Sequence, residues 1–386
     1  MTMKLLSHLT VLDLTVNVPG PFCSMNLCDL GGRVITVEPP AGDPLRHSTG
    51  MWAALNRGKE SISLDLKTSV GHEILHSLVE SADIVLEGWR PGVAKRLGAD
   101  YETLSKINPR LVYCSISGFG QEGPWKNRPG HDLNYLALSG YLGVQSSIEG
   151  KPWPPAILIS DLAAGMYATI SVLAAMSASQ VRGEGTYIDL SMTEAVLSLL
   201  GPEISHSLED ACQSKPNVSG IPHYGLFECA DGRWLSLGIV HEDHFWSRFC
   251  TTVGLEEFSD LKFAERLRLA TDVELAIRNT LRTRTAEHWE GLLVNADVPA
   301  ASVIELNEVL ESTQFAFRNV FTGPNGYRFT SYPARFSMGT TAVTGHPPKF
   351  AQHTAALLTE HGYNQKQVSK FIEDGVAVIP SIQISQ

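Results

Sequence analysis

Short apolar runs separated by stretches of helical spacing fill the first 120 residues. Residues 9–14 (LTVLDL) read as a strand, and PGPFCSMNLCDLG as a loop and helix that stops at Gly31-Gly32. RVITVEP reads as a second strand. SVGHEILHSLVESA has apolar positions three and four apart, which predicts a helix; DIVLEGW follows as a strand. YETLSKINP is the next helix and LVYCSISGFG the next strand. Strands spaced by helices predict a parallel sheet covered on both faces. From about 160 to 200 the pattern turns helical in DLAAGMYATISVLAAMSA, and RGEGTYIDLSM then reads as a turn, a strand and a helix start. Residues 205–222 are polar and broken by Pro216, Gly220 and Pro222. HYGLFECADGRWLSLGIV predicts a hairpin turning at Asp231-Gly232. Helical spacing dominates 243–320, and NGYRFTSYPARFSM is extended again. These patterns predict a large domain over 1–205, a linker over 206–224, a small domain over 225–325 and a segment, 326–386, that returns to the large domain.

Composition narrows the function. A chain of 386 residues, 43% hydrophobic and 18% charged, has ordinary globular balance and enough length for two cores. A formal charge of -11 argues against a general nucleic-acid partner, since phosphate binding needs local positive charge. The six cysteines form no CxxC pair and no His cluster has metal-ligand spacing, so neither a metal nor a redox cofactor is expected. Scattered cysteines suit reduced, buried thiols and a cytoplasmic setting. The N-terminus lacks the apolar core and cleavage site of a signal peptide. No apolar run approaches the ~20 residues that span a bilayer, so no membrane partner is expected.

Alternating strands and helices raise the question of a dinucleotide site. The first turn, however, reads Thr15-Val16-Asn17-Val18-Pro19-Gly20-Pro21, without the G-x-G-x-x-G that lets backbone approach a pyrophosphate. Glu38 stands where an acidic ribose ligand would, but one acid at a strand end is equally a solvated side chain. A bound NAD is therefore rejected.

Three local features carry possible chemistry. Gly130-His131-Asp132-Leu133-Asn134-Tyr135 follows a Gly- and Pro-broken loop and opens a helical run. Free N–H groups and a partial positive charge at that helix start suit a developing oxyanion. Asp132 is also a plain helix cap by composition. Asp161, in Ile157-Leu158-Ile159-Ser160-Asp161-Leu162, precedes a long apolar helix, where Ser160 or Asp161 reads as the cap. Glu242, in HEDHFW, sits at another helix start, where acids are common.

Taken together with PGPFCSMNLCDLGGRVITVEPPAGDPLR, NRGKESISLDLK, EGWRPGVAKRLG, LVYCSISGFGQEGP, GHDLNYLALSG, RGEGTYIDLSM and ECADGRWLSLG, these features resemble the class III CoA-transferase superfamily. EGWRPGV and GHDLNY resemble its alpha-methylacyl-CoA racemase branch. The resemblance implies an α/β fold with a large Rossmann-like parallel-sheet domain and a smaller α+β domain, in an interlocked homodimer. It implies that His131 and Asp161 act on opposite faces of the substrate α-carbon. One removes a proton, the other returns one, and an enolate forms between; helix-start amides near Asp132 and Asp161 would stabilise it. Glu242 matches the acid that orients the catalytic His. An ordinary Asp, with a pKa near ~3.9, is a poor acid at neutral pH, so Asp161 is expected in a partly dry pocket.

For the CoA moiety, the resemblance gives Arg90 and Arg96 as phosphate contacts, with Arg46 and Lys59 weaker candidates. Gly130, Asp132 and Tyr135 are expected along the CoA arm. The partner is then an acyl-CoA thioester, with coenzyme A entering only as part of the substrate. In the superfamily's transferases the same Asp is a nucleophile that forms a mixed anhydride and then an aspartyl-CoA thioester. His131 and Glu242 together favour the racemase, as does the lack of a glycine-rich lid after the hairpin. Ile157, where such racemases carry Asn, and Ala163-Ala164-Gly165 in place of a glycine triplet depart from it. Branched fatty, bile-acid-like and short dicarboxylic acyl groups all remain open.

Overall fold

The computed structural model describes residues 4–209, 220–337, 341 and 345–380. Most of the expected linker, Cys212 and the C-terminal SIQISQ lie outside the described residues. The chain divides into two compact units, one of residues 1–202 with 316–386 and one of residues 203–315.

The larger unit is built on a seven-stranded sheet. β1 (Thr10–Asp13), β2 (Arg33–Glu38), β3 (Glu60–Leu64), β4 (Ile84–Glu87), β5 (Val112–Ser117) and β6 (Thr186–Ser191) run parallel in the order 3-2-1-4-5-6. The strand Ala377–Val378 joins antiparallel beside β3, tying the C-terminal segment to this unit. Alternation decides the faces. Leu12, Val85 and Tyr113 point into one core with the helix Ser69–Glu80. Val11, Ile84, Leu86, Val112 and Cys114 point into the other, against the helices Pro19–Asp29 and Ile159–Arg182. β3 was not expected from the sequence. Its polar alternates are buried rather than solvated: Ser61 Oγ donates to Glu38 at 2.7 Å and accepts from Ala351 N at 2.9 Å.

The helix Ile159–Arg182 corrects one expectation. Over its 24 residues it is long and apolar enough to cross a membrane by length and composition alone. Here it packs on the sheet and crosses the helix Pro19–Asp29 closely. A Cβ on Gly165 would stand 2.7 Å from Pro19 O, so only glycine permits that approach.

The order 3-2-1-4 places a topological switch point between β1 and β4, where a crevice opens beyond the strand ends. The turn leaving β1 is held by charge instead of by glycines. Asp13 accepts from Thr15 N at 3.0 Å and from the hydroxyls of Thr15 and Ser24. Lys59 Nζ lies 3.3 Å from Asp13, and also donates to Ser24 Oγ at 2.7 Å and Asn56 Oδ1 at 2.9 Å. Both side chains are fully buried.

The smaller unit has an antiparallel sheet of β7 (Tyr224–Glu228), β8 (Trp234–Gly238) and β9 (Ala300–Ser302), as the hairpin pattern predicts. Gly232 takes φ 74° at the turn, and helices pack on the sheet around Trp246, Phe249 and Leu293.

Removing one member of a buried ion pair leaves the other charged and dry, at a cost of about 3–5 kcal/mol. Lys59→Met is therefore expected to lower the urea unfolding free energy by about that amount. A loss under ~1 kcal/mol, the size of an exposed pair, would contradict the role assigned to it.

Candidate active site

A cavity of about 600 Å³ opens at the switch point. Its walls are residues 15–17 beyond β1, 88–91 beyond β4 and 116–119 at the end of β5, with Arg128, His131, Tyr135 and Asp161. His131 and Asp161, expected to act together, thus line one cavity.

Asp161 lies inside the first turn of the helix Ile159–Arg182, and neither it nor Ser160 is the cap. Leu158 holds the cap position and offers no side-chain hydrogen bond. Asp132 takes over from 28 residues away. Its Oδ1 accepts from Ser160 N at 2.7 Å, Ser160 Oγ at 2.8 Å and Asp161 N at 3.4 Å. Asp132 is itself the first residue of another helix, Asp132–Leu138, so one buried carboxylate joins two helix starts. This overturns the expectation that the Ser160 and Asp161 amides meet the oxyanion, since both donate to Asp132. At the start of the helix Asp132–Leu138, His131 N donates to Asn134 Oδ1 and Asn134 N to His131 O, so the amides of Asp132 and Leu133 are the donors it offers. Burial, and then the nearby charge of Asp132, push the Asp161 carboxyl up to about 7.

His131 is exposed at the cap position of the helix Asp132–Leu138, and its backbone N–H donates to Asn134 Oδ1 at 3.1 Å. Tyr135 braces the same loop. Its hydroxyl donates to Gly130 O at 2.6 Å and its ring meets Phe119 edge-on at 5.3 Å. A Cβ on Gly118 or Gly130 would stand 2.5 or 2.7 Å from that ring, so both glycines make room for it. Gly130 and Tyr135 line the cavity, while Asp132 sits behind it as a cap rather than along the wall.

Of the expected phosphate contacts, Arg90 lines the cavity and Arg96 does not. Arg96 ends the one-turn helix Val93–Arg96, exposed, with Nη1 donating to Gly92 O at 3.3 Å. Its neighbour Leu97 lines a second cavity of about 360 Å³ beyond β1, β2 and β3, which shares Val16 and Trp89 with the first. Arg46 and Lys59 are committed elsewhere. Arg46 grips both oxygens of Glu38 at 2.7 and 2.6 Å and lies 3.9 Å over the Trp52 ring. Glu38 is therefore neither a solvated strand end nor a free ribose ligand, because Ser61 Oγ and Asp43 N also donate to it. Glu242 belongs to the smaller unit, at the cap position of the helix Asp243–Val253. Its Oε2 accepts from Val240 N at 2.9 Å, and bonds from the Glu242 and Val240 amides hold its carboxyl below the ordinary range.

Two cavity cations and one buried acid escaped the sequence reading. Lys126 and Arg128 line the cavity from the loop that leads to His131. Two cations and a Trp within six residues of that His were the available signal. Glu87, buried at the end of β4, accepts from Trp89 N at 2.8 Å and so shapes residues 88–91. Burial pushes its carboxyl up to about 7.

Comparison with known proteins gives the family. Residues 6–354 match the model of CoA-transferase family III, and the chain belongs to that family. It is 33% identical to the acetyl-CoA:oxalate CoA-transferase of Acetobacter aceti, over 91% of this chain and 94% of that one. It is 29% identical to the alpha-methylacyl-CoA racemase of Homo sapiens, over 96% and 97%. A CAIB/BAIF family protein from Brucella suis superimposes with a TM-score of 0.84 at 27% identity, covering 94% of this chain and 100% of the other. The family is enzymatic, and its members here include both racemases and CoA-transferases.

The Asp161 carboxyl holds its proton more tightly folded than unfolded. Its stabilising contribution is complete below the unfolded value of ~3.9 and is lost as pH climbs to about 7. Relative to Asp161→Asn, the wild-type protein is expected to lose stability across that window in denaturant titrations, and a pH-independent difference would contradict it. Asp132→Asn removes the second cause of the shift. Carboxyl NMR should then show Asp161 titrating below about 7, and an unmoved titration would mean that the Asp132 charge is not felt.

Proposed function

We propose that the protein is an acyl-CoA racemase or epimerase acting at the α-carbon of an α-methylacyl-CoA thioester. The observation that carries this reading is a carboxyl group poised near neutrality, Asp161, in the cavity that also holds an exposed imidazole, His131. A carboxyl near neutrality can both give and take a proton at pH 7, which reversible proton transfer requires. In one direction His131 takes the α-proton while protonated Asp161 delivers its own to the opposite face. In the other direction the roles exchange. The negative charge that builds on the thioester oxygen is met by the amides opening the helix Asp132–Leu138 and by the cations of the wall. The reaction needs no metal or redox group, and the setting proposed is cytoplasmic.

A second reading keeps the site and changes the chemistry. Asp161, ionised, attacks the thioester carbonyl and expels the CoA thiolate to form a mixed anhydride; the thiolate then attacks the aspartyl carbonyl, the donor acid leaves as a carboxylate, and CoA is held as an aspartyl thioester. The similarity to an acetyl-CoA:oxalate CoA-transferase and to a succinyl-CoA:glutarate CoA-transferase of Mus musculus favours it. The raised Asp161 carboxyl works against it, since at pH 7 only part of the population is ionised.

We also propose a homodimer. Met166 (46% exposed) and Ile170 (62%) leave an apolar stripe on the helix Ile159–Arg182. A monomer with full activity in sedimentation would contradict this.

Incubating one epimer of an α-methylacyl-CoA in deuterated water, with no carboxylic acid added, separates the chemistries. The account expects deuterium at the α-carbon together with epimerisation, and a fall in epimerisation of ~10²-fold or more for His131→Ala. No uptake, with a hydroxylamine-sensitive CoA adduct trapped on Asp161, would establish the transferase instead. The role that the resemblance gives Glu242 is tested by Glu242→Gln in the same assay.

A further inference from the structure

Asn17 enters the 600 Å³ cavity from the turn that leaves β1. It holds φ 66°, one of four non-glycine residues at positive φ among those described, and of the four it alone lines this cavity. A side chain kept in the left-handed region costs free energy that the surroundings must offset. Both flanks do so here. Thr15 is tied to Asp13 through its amide and its hydroxyl. Asn17 N donates to Asp43 Oδ1 at 3.4 Å, and the same oxygen accepts from Leu45 N at 2.7 Å. Thr15 and Val18 are buried, whereas Asn17 stands exposed. Among the described residues its carboxamide has no hydrogen-bond partner.

Packing sets this turn against the helix that carries Asp161. A Cβ on Gly165 would stand 2.7 Å from Pro19 O and 2.8 Å from the Phe22 ring. Asp161 is one turn before Gly165 on the same helix face. Val18, Phe22 and Leu162 pack in one small apolar cluster. The residues just before Val18 and Leu162 are Asn17 and Asp161, and both line the cavity. His131 comes from a different loop. If Asp161 and His131 take opposite faces of the reacting carbon, a donor to the thioester oxygen must approach edge-on, from an element that carries neither. The β1 turn is such an element, and its pinned backbone leaves only the carboxamide to be aimed.

We propose that Asn17 is a further catalytic residue, whose Nδ2–H donates to the thioester oxygen as negative charge builds there. This rests on reading the cavity as an acyl-CoA site. It holds for either chemistry at Asp161: the oxygen becomes an enolate when the α-proton is taken, and an alkoxide when a carboxylate adds to the carbonyl.

Glycine separates this role from a structural one, because it adopts φ 66° more readily than Asn and has no carboxamide. Asn17→Gly should therefore unfold at no lower urea concentration than the wild-type chain. The probe is an acetyl-CoA analogue in which methylene replaces the sulfur, isotopically labelled at the carbonyl carbon, so that no thiolate can leave. In infrared difference spectra of this ketone on the full chain, the carbonyl band should lie below its frequency in water. Asn17→Gly should return it toward that frequency, as should Asn17→Asp, which keeps the shape and lacks the Nδ2–H. Affinity for the ketone should fall no more than ~5-fold in Asn17→Gly, with free CoA unaffected. The rate of α-proton exchange or CoA transfer, whichever Asp161 supports, should fall ~10²-fold. A wild-type band at the aqueous frequency, or a band that Asn17→Gly leaves unmoved, overturns the proposal and leaves Asn17 a turn residue. An unmoved band with weaker binding of both ketone and CoA also overturns it, placing the carboxamide on the CoA arm. Failure of the wild-type chain to bind either ligand overturns the acyl-CoA reading itself, and the proposal with it.

Discussion

One buried carboxylate organises the candidate active site. Asp132 closes the start of the helix Ile159–Arg182 with three hydrogen bonds from Ser160 and Asp161, while beginning a helix of its own. A long helix whose cap position holds Leu158 needs such a partner, because its first amides have none within the helix. The cap fixes where Asp161 stands relative to the loop that carries His131. It also sets the chemistry. A negative charge bonded to the Asp161 amide opposes ionisation of the Asp161 side chain, on top of the cost of burial. The two effects together move an ordinary carboxyl into the range where it both gives and takes protons at neutral pH.

The second constraint is the switch point. Parallel sheets with this strand order open a crevice where neighbouring connections diverge, and the cavity lies there. Dinucleotide folds line that crevice with glycines, whereas this chain turns out of β1 through Thr15, Val16 and Asn17. Asp13 and Lys59 pin that turn from beneath, and Gly20 leaves room for Thr15, whose side chain a Cβ there would overlap. The crevice is kept, but its floor is a fixed side-chain network rather than an approachable backbone.

Most of the sheet was legible because β1, β2, β4 and β5 alternate strongly apolar residues between two buried faces. β3 was hidden because its alternates, Ser61 and Ser63, look solvated and are in fact buried, Ser61 through bonds to Glu38 and to residue 351. Asp161 and His131 were identified from motif resemblance, and the fold brings both to one cavity. The Asp132 cap was illegible, since a tertiary bond across 28 residues leaves no local spacing to read. Glu38 and Arg46 misled for a related reason. Each looks like a free ligand group in the sequence, and each is consumed by the other. Arg128 was overlooked because a cation in a loop has no pattern of its own until Trp125 and Phe119 are seen propping it.

The central claim is that two groups, His131 and Asp161, serve opposite faces of one carbon. Its most direct test is α-proton washout from each separate epimer by His131→Gln and by Asp161→Asn. The account predicts that each variant exchanges the α-proton of one epimer only, and that the two variants choose opposite epimers. Loss of exchange from both epimers in Asp161→Asn, with His131→Gln unaffected, would contradict it and leave Asp161 as a lone nucleophile.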